Sequence, residues 1–200
     1  MSNQQDIFNL FPNLVAKIDL NQNNDALSIF AYNVKEKSQG RSVSNMGGGW
    51  QSEDITEFPV HYEMLIDMII LEMLNLSKVT SFIDLEYQNS WININGPGSY
   101  NARHMHAGSI YSGVYYVKVP EGDCGKLIFH RNDDAEYYLN SLPPRDDDFA
   151  NVYKYINHPA PPSEGTLLLF PSWLHHSVSQ NNTDEDRISV SFNFGAPSAS

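Results

Sequence analysis

The sequence predicts a mainly β protein with flanking helices. After residue 85, short runs rich in β-branched and aromatic residues follow one another, and clusters of Gly, Pro and Asn separate them. Six such runs in the C-terminal half indicate an antiparallel sandwich or barrel. The predicted strands are Ser90–Asn95, Ser112–Val119, Lys126–His130, Gly165–Phe170, Leu174–Ser179 and Arg187–Phe194.

The part of the chain before these strands is predicted to be an annex that packs on the barrel. The 200 residues suit one domain, with residues 1–84 as the annex and residues 85–200 as the core. Residues Ile7 to Val34 predict a leading strand followed by a short helix. Residues Ser38 to Asp54 hold three consecutive glycines and Trp50, which predicts an exposed loop.

The clearest helix is predicted over Val60 to Ser77. Pro59 stands just before it, where a proline is tolerated. Apolar residues recur at helical spacing and should pack one face of the helix on a sheet. These residues are Leu65, Met68, Ile69, Met73 and Leu76.

A second departure from the strand pattern lies inside the core. Residues 133–162 are acidic and rich in proline. Because long loops in compact domains are usually functional or mobile, we expect an insertion or lid there.

Composition excludes several classes of partner. The formal net charge of -12 disfavours binding to phosphate backbones, so a nucleic-acid partner is not expected. The one cysteine, Cys124, can form no intramolecular disulfide, which fits a cytoplasmic protein. The N-terminal residues lack the pattern of a signal peptide, and no apolar run has the length of a membrane span.

Two of the seven histidines form an H-x-H pair. His104 and His106 are two residues apart, and on a strand such residues face the same way. Both imidazoles can therefore point at one ion. Neutral imidazole suits Fe, Zn, Cu and Ni, so the pair alone does not select a metal. Two surface histidines on a strand would give the same pattern.

A third ligand is predicted in the run GTLLLFPSWLHHSV. This run indicates a buried strand, a Pro-Ser turn and a second strand. A strand that starts near Leu174 places Leu174, His176 and Val178 on one face, so His176 points inward and His175 outward. A bulge at this position would exchange the two histidines. Three ligands on one side of a metal leave open positions on the other.

A candidate carboxylate clamp follows in the strand RISVSFNF. Arg187, Ser189, Ser191 and Asn193 share one face of this strand. A guanidinium with a hydroxyl two residues away can hold both oxygens of a carboxylate. An ion pair between Arg187 and the neighbouring acidic loop is the structural alternative.

With these motifs, the stretch from Trp91 to Phe194 resembles the 2-oxoglutarate/Fe(II)-dependent oxygenases, in particular an uncharacterised bacterial and phage branch. The resemblance lies in HMHAGSIYSGVYYV, GTLLLFPSWLHHSV and RISVSFNF, and GGWQS is a candidate extension of it. It implies a double-stranded β-helix (jelly-roll) barrel, Fe(II) as the metal and 2-oxoglutarate as cosubstrate. The implied iron ligands are His104, His106 and His176. Arg187 and Ser189 would bind the far carboxylate of 2-oxoglutarate.

One residue departs from the family pattern. His106 stands where the family has Asp or Glu, so either three histidines hold the iron or a carboxylate comes from elsewhere. In some members the carboxylate is missing and an exogenous anion fills its position. Further cosubstrate contacts are expected from Asn93 and Asn95, and also from Tyr111 and Tyr115.

The resemblance implies a dioxygenase that couples oxidative decarboxylation of 2-oxoglutarate to hydroxylation of a second substrate. That substrate, a small molecule or a peptidyl side chain, is not identified by the sequence. The sequence also leaves the oligomeric state open, and a homodimer is compatible with it.

Two other interpretations remain. A cupin would share the barrel and the three histidines without needing Arg187, and G-x5-H-x-H from Gly98 and G-x5-P from Gly165 are cupin features. The Glu that a cupin needs after His106 is absent, however. The other alternative is a non-catalytic barrel that binds a ligand, because fold does not guarantee activity.

Overall fold

Two antiparallel β-sheets and two helices make up the described part of the chain in a computed structural model, which covers residues 12–20, 22–80, 85–131, 133–134 and 156–197. The first sheet has six strands in the order β1-β9-β6-β11-β4-β3, and the second has five in the order β2-β5-β10-β7-β8. The strands are β1 (Ala16–Asp19), β2 (Asn45–Met46), β3 (Trp50–Gln51), β4 (Glu86–Asn95), β5 (Tyr100–His104), β6 (Tyr111–Lys118), β7 (Leu127–His130), β8 (Asn157–Ala160), β9 (Thr166–Pro171), β10 (His176–Val178) and β11 (Arg187–Gly195). This confirms the predicted mainly β, jelly-roll class.

The two helices, α1 (Asn24–Lys37) and α2 (Val60–Thr80), belong to the N-terminal part of the chain. The side chain of Asn23 accepts a hydrogen bond from the Ala26 amide and caps α1. A strand followed by a helix was predicted in this region, and a helix was predicted to start after Pro59. Both predictions are confirmed. The buried face of α2 packs in the apolar core on one side of the six-stranded sheet and consists of Tyr62, Leu65, Ile66, Ile69 and Met73.

The prediction of an exposed loop over Ser38 to Asp54 is wrong for two short strands within it, β2 and β3. Trp50 and Gln51 form β3, which pairs with β4, and Trp50 packs in the core. The glycines form a turn between β2 and β3, with positive φ at Gly47 and Gly48. Strands of two residues have no periodicity for a sequence pattern to reveal, so the turn was detected and the strands were missed.

Most of the predicted insertion, residues 135–155, lies outside the described residues. Its described end forms β8, which pairs with β7 at the edge of the five-stranded sheet. The proposed role of the insertion as a lid stays a prediction.

The six-stranded sheet separates two environments. One face, with Ile188, Val190 and Phe192 of β11, belongs to the core that includes both helices. The residues between them face the second sheet, where a smaller apolar cluster joins Tyr116 and Phe170 to residues of the second sheet. Period-2 alternation along β11 therefore points its polar residues into the space between the sheets. Neither described helix is long and apolar enough to cross a membrane.

Candidate metal and cosubstrate site

A cavity of about 390 Å³ lies between the two sheets. The three predicted metal ligands line it, and so does the predicted carboxylate clamp, Arg187. Among the described residues, its lining includes five asparagines and no Asp or Glu. The cavity therefore combines apolar surface with uncharged amide side chains, and the formal charge of its lining comes from guanidinium groups alone.

The three histidines meet at one place in this cavity. One ligand nitrogen from each of His104, His106 and His176 lies within 4.8 Å of the others. His104 ends β5 and His176 begins β10, and the two face each other in the antiparallel register. The His106 ring stacks beside that of His104 with centroids 5.3 Å apart. Such a cluster could hold one metal ion.

Backbone carbonyls fix the tautomers of two of these rings. His104 Nδ1 lies 2.7 Å from the Ala102 carbonyl oxygen, and His176 Nδ1 lies 2.8 Å from the Leu174 carbonyl oxygen. A carbonyl oxygen only accepts, so in each ring Nδ1 carries the proton and donates it. The Nε2 lone pair is then left for a metal.

The third ring is held by a side chain instead. His106 Nδ1 lies 2.6 Å from Oδ1 of Asn193. The same oxygen accepts a hydrogen bond of 2.8 Å from the Ser112 hydroxyl. The backbone amide of His106 donates to the Ser172 carbonyl oxygen, which fixes the main chain just beyond the end of β5.

Burial keeps the cluster neutral. Desolvation lowers the pKa of His176 to about 3 and the pKa of His106 to about 4, and it also lowers the pKa of His104. The rings further depress one another because two protonated imidazoles would repel. At neutral pH all three imidazoles are uncharged, which is the form that binds a metal.

The structure places His176 in the cluster and leaves His175 out of it. A register shift occurs in the pairing of β10 with β5, but it falls between His176 and Val178, after the histidine. The inward phase of His176 is therefore kept. The Nδ1 atom of His175 is buried without a hydrogen-bond partner among the described residues.

The opposite end of the cavity is formed by Arg187, which is 3% exposed. Its Nη1 donates to the carbonyl oxygens of Cys124 and Gly125 at 2.9 and 3.0 Å. Its Nε is buried and has no hydrogen-bond partner in the described part of the chain. Desolvation lowers the pKa of Arg187, because burial without a counter-ion disfavours the charged form. This end of the cavity therefore fits the carboxylate of a ligand.

The other predicted cosubstrate contacts lie near this guanidinium. Ser189, Asn93 and Asn95 are buried and line the cavity. In the register of β11 with β4, Arg187 faces Asn95 and Ser189 faces Asn93. Asn93 donates to the Ser191 hydroxyl at 3.0 Å. The structure thus brings these predicted residues together around Arg187.

The structure corrects the expectation for the tyrosines. Tyr115 lies in the core on the helix side of the sheet, where its hydroxyl donates to Asn24 Oδ1 at 2.7 Å. Tyr111 belongs to the same core. Tyr116 lines the cavity instead, close enough to Arg187 for the two to affect each other's pKa. Because β6 is buried on both faces, its sequence carries no polar alternation from which the phase could be predicted.

Two further cavity residues had no predicted role. Asn193 had been placed on the Arg187 face of its strand, and the structure shows that it contacts His106. Asn89 lies opposite Asn193 in the register of β4 with β11, and its Oδ1 accepts a hydrogen bond from Asn193. The predicted strand began at Ser90, whereas β4 begins at Glu86, so the sequence prediction left Asn89 outside the strand.

Residues 89–193 match the family model described as "Putative 2OG-Fe(II) oxygenase". Solved structures with a similar fold include a Pseudomonas putida prolyl-4-hydroxylase, with a TM-score of 0.62, 16% identity and coverage of 92% of this chain and 93% of that chain. A Trichoplax adhaerens prolyl hydroxylase in complex with a hypoxia inducible factor peptide has a TM-score of 0.60 and 14% identity, over 90% of this chain and 83% of that chain. No curated protein matches the sequence.

A viral collagen prolyl hydroxylase from Paramecium Bursaria Chlorella virus-1, solved as a 2OG complex, has a TM-score of 0.59 and 16% identity, over 92% of this chain and 96% of that chain. At these identities the likeness to solved structures shows the fold alone. The family match covers all three histidines and Arg187.

Proposed function

The chain belongs to the 2OG-Fe(II) oxygenase family, and on this premise we propose that three histidines hold its iron and that Arg187 binds its cosubstrate. The protein is a 2-oxoglutarate- and Fe(II)-dependent dioxygenase. The proposed ligands are His104, His106 and His176. The proposed reaction couples oxidative decarboxylation of 2-oxoglutarate to hydroxylation of a second substrate.

The observation that carries this proposal is the pairing of two incomplete groups in one cavity. At one end, three neutral imidazoles each place one nitrogen within 4.8 Å of the others. At the other, a buried guanidinium has an unsatisfied Nε and no carboxylate among the residues that line the cavity. A ligand that chelates a metal at one end and presents a carboxylate at the other would satisfy both groups, and 2-oxoglutarate is such a molecule.

The protein's residues prepare the site before any ligand arrives. When bound, the iron supplies the redox chemistry that activates oxygen as 2-oxoglutarate loses carbon dioxide. The histidines are already neutral and oriented by their Nδ1–H bonds, so binding a metal requires no deprotonation at neutral pH. Arg187 and Ser189 orient the cosubstrate, and burial of both side chains excludes water from its far carboxylate.

Charge favours an anionic cosubstrate and disfavours a cationic substrate. The lining holds two guanidinium groups and no acidic side chain in the described part of the chain, although the whole protein has a formal net charge of -12. A dianion is therefore attracted to this cavity. The substrate proposed is a neutral or anionic small molecule or a peptidyl side chain. The peptide in the complex of the Trichoplax prolyl hydroxylase supports the second of these classes.

The buried Arg187 also separates this proposal from the cupin interpretation. A cupin would use the three histidines but would have no use for a guanidinium buried without a counter-ion. Burial of an unpaired charge is costly, and the cost is met when a carboxylate binds.

Anaerobic titration tests the proposal. Protein loaded with Fe(II) should develop a weak visible charge-transfer band as 2-oxoglutarate is added. His176→Ala should lose iron and band together. Arg187→Ala should keep iron but bind 2-oxoglutarate at least about 30-fold more weakly, since removing one partner of a buried charge pair costs ~2 kcal/mol or more.

The controls separate the alternatives. Wild-type protein that binds iron without forming the band would favour the cupin interpretation. Wild-type protein that binds no iron would contradict the three-histidine site. An exposed substitution on α2, His61→Gln, should leave both the iron and the band unchanged.

A further inference from the structure

A chain of hydrogen bonds connects His106 to a carboxylate outside the cavity. His106 Nδ1 lies 2.6 Å from Asn193 Oδ1, and Asn193 Nδ2 donates to Asn89 Oδ1 at 3.0 Å. Asn89 Nδ2 then donates to Asp54 Oδ2 at 3.0 Å. The other oxygen of Asp54 accepts from Arg41 Nη2 at 2.8 Å. Two amides thus separate the His106 ring from a negative charge.

The carboxylate determines the direction of every bond in this chain. The oxygens of Asp54 accept from the Arg41 guanidinium and from Asn89, so Asn89 presents its Nδ2 to Asp54. Asn89 then has Oδ1 facing Asn193, which must donate through its own Nδ2. This leaves Oδ1 of Asn193 facing His106. The His106 proton must therefore lie on Nδ1, and the Nε2 lone pair is free.

The opposite orientation would break the last hydrogen bond of this chain. If His106 carried its proton on Nε2, Asn193 would turn its Nδ2 toward the ring and its Oδ1 toward Asn89. Asn89 would have to rotate in response and would place Oδ1 against the Asp54 carboxylate. Two acceptors would then face each other, and the exposed hydrogen bond between Asn89 and Asp54 would be lost.

Arg41, at the outer end of this hydrogen-bond chain, also contacts a ring beside His106. Its guanidinium lies over the Trp91 ring, 5.6 Å from the ring centroid, and the Trp91 and His106 rings are also 5.6 Å apart. Arg41 contacts Glu53 as well, at a longer distance of 3.7 Å. Glu53 therefore shares the ion pair but has no bond to the amide chain in the described structure.

We propose that Asp54, Asn89 and Asn193 are positioning residues that set the tautomer of His106. The inference rests on the proposed function in that it takes His106 as a metal ligand. His106 stands where the family has a carboxylate. The structure assigns part of the missing negative charge to Asp54, which acts on the metal ligand through two polarised amides rather than by direct contact.

Two pairs of variants test this relay. Asp54→Asn removes the charge and introduces a donor, which abolishes the fixed direction of the chain. Glu53→Gln is the matched control, since it makes the same charge change on the neighbouring residue and on the same guanidinium. Asn193→Leu removes the acceptor beside His106 at similar volume, and Asn193→Asp restores an acceptor there.

The first measurement is the His106 tautomer in metal-free protein, read from long-range ¹H–¹⁵N correlations at neutral pH. Wild type, Glu53→Gln and Asn193→Asp should show the Nδ1–H tautomer. Asp54→Asn should show a mixture of both tautomers at His106 and no change at His104 or His176. A structural role for Asp54 would not change the His106 tautomer in this way.

The second measurement is Fe(II) affinity by anaerobic calorimetry. Asn193→Leu should weaken binding by about 10- to 100-fold, and Asp54→Asn by about threefold because its effect passes through two amides. Glu53→Gln should bind as wild type does, and Asn193→Asp at least as tightly.

The outcomes keep this inference separate from the proposed function. If wild-type protein binds no iron, the proposed function fails while the tautomer measurement still tests the relay. If wild type binds iron and His176→Ala does not, the proposed site stands. In that case, Asp54→Asn with the tautomer and affinity of Glu53→Gln would overturn the relay.

Discussion

The two ends of the cavity differ in whether the protein satisfies the hydrogen bonds of their side chains. At the histidine end, each Nδ1 has an oxygen partner within 2.6 to 2.8 Å, supplied by the protein. At the Arg187 end, a buried Nε has no partner within the described residues and no carboxylate neutralises the guanidinium. The hydrogen bonds of the first end are therefore satisfied by the protein itself. At the second end the guanidinium lacks a hydrogen-bond partner and a counter-charge, and a ligand carboxylate would supply both.

Acid should affect the histidine end first and with the largest effect. The pKa of His106 is lowered to about 4 and that of His176 to about 3, from an ordinary value of 6.5. As pH falls below 6.5, these histidines become protonated in the unfolded chain but stay neutral in the folded chain. The stability that they contribute above pH 6.5 is therefore lost toward pH 4. For His106 alone the loss is about 3 kcal/mol in the free energy of unfolding.

Urea denaturation of metal-free protein at a series of pH values measures this loss. His106→Asn should reduce the fall in unfolding free energy between pH 6.5 and 4. His61→Gln, on the exposed face of α2, serves as the control and should leave it unchanged. An equal fall in all three proteins would show that other groups, and not the buried cluster, cause the loss.

The sequence predicted the parts of this site that depend on local periodicity. The alternation along Arg187 and Ser189 is a property of a single strand, β11. His104 and His106 were predicted to share a strand, but β5 ends at His104 and His106 lies just beyond it. The structure nevertheless brings all four side chains into one cavity. The same reasoning placed His176 inward, because Leu174 and Val178 marked its face.

What could not be predicted depends on how distant segments pair. The contact of Asn193 with Asn89 follows from the register of β11 on β4, and that of Asn89 with Asp54 joins residues 35 apart in sequence. The phase of Tyr115 and Tyr116 was lost because β6 is buried on both faces. In each case the deciding contact is tertiary and leaves no local pattern.

A smaller effect, on 2-oxoglutarate affinity, is expected from a change at the Arg187 end of the cavity. Ser189→Ala removes a buried hydroxyl on the face of β11 that carries Arg187. We expect 2-oxoglutarate to bind about fivefold more weakly, which corresponds to ~1 kcal/mol for one hydrogen bond. Iron affinity should not change, because the histidine end is satisfied independently. Calorimetry with each ligand in turn measures both values.

Ser90→Ala is the matched control for this variant. Ser90 is a fully buried serine on the neighbouring β4, but its hydroxyl bonds to Tyr62 and Tyr87 on the helix side. It should lower stability and leave 2-oxoglutarate affinity unchanged. A Ser189→Ala protein with wild-type affinity would remove Ser189 from the proposed clamp.

The smallest effect concerns the two adjacent tyrosines of β6, which lie on opposite faces of the sheet. Tyr115→Phe removes the hydrogen bond to Asn24 and should lower stability by ~1 kcal/mol without changing 2-oxoglutarate affinity. Tyr116→Phe changes a cavity residue near Arg187 and should alter that affinity by less than about threefold, the size of a weak neutral hydrogen bond. Thermal denaturation and 2-oxoglutarate calorimetry on both variants separate the two faces. Reduced 2-oxoglutarate affinity in Tyr115→Phe would contradict its placement in the core and would make Tyr115 a candidate contact of 2-oxoglutarate again.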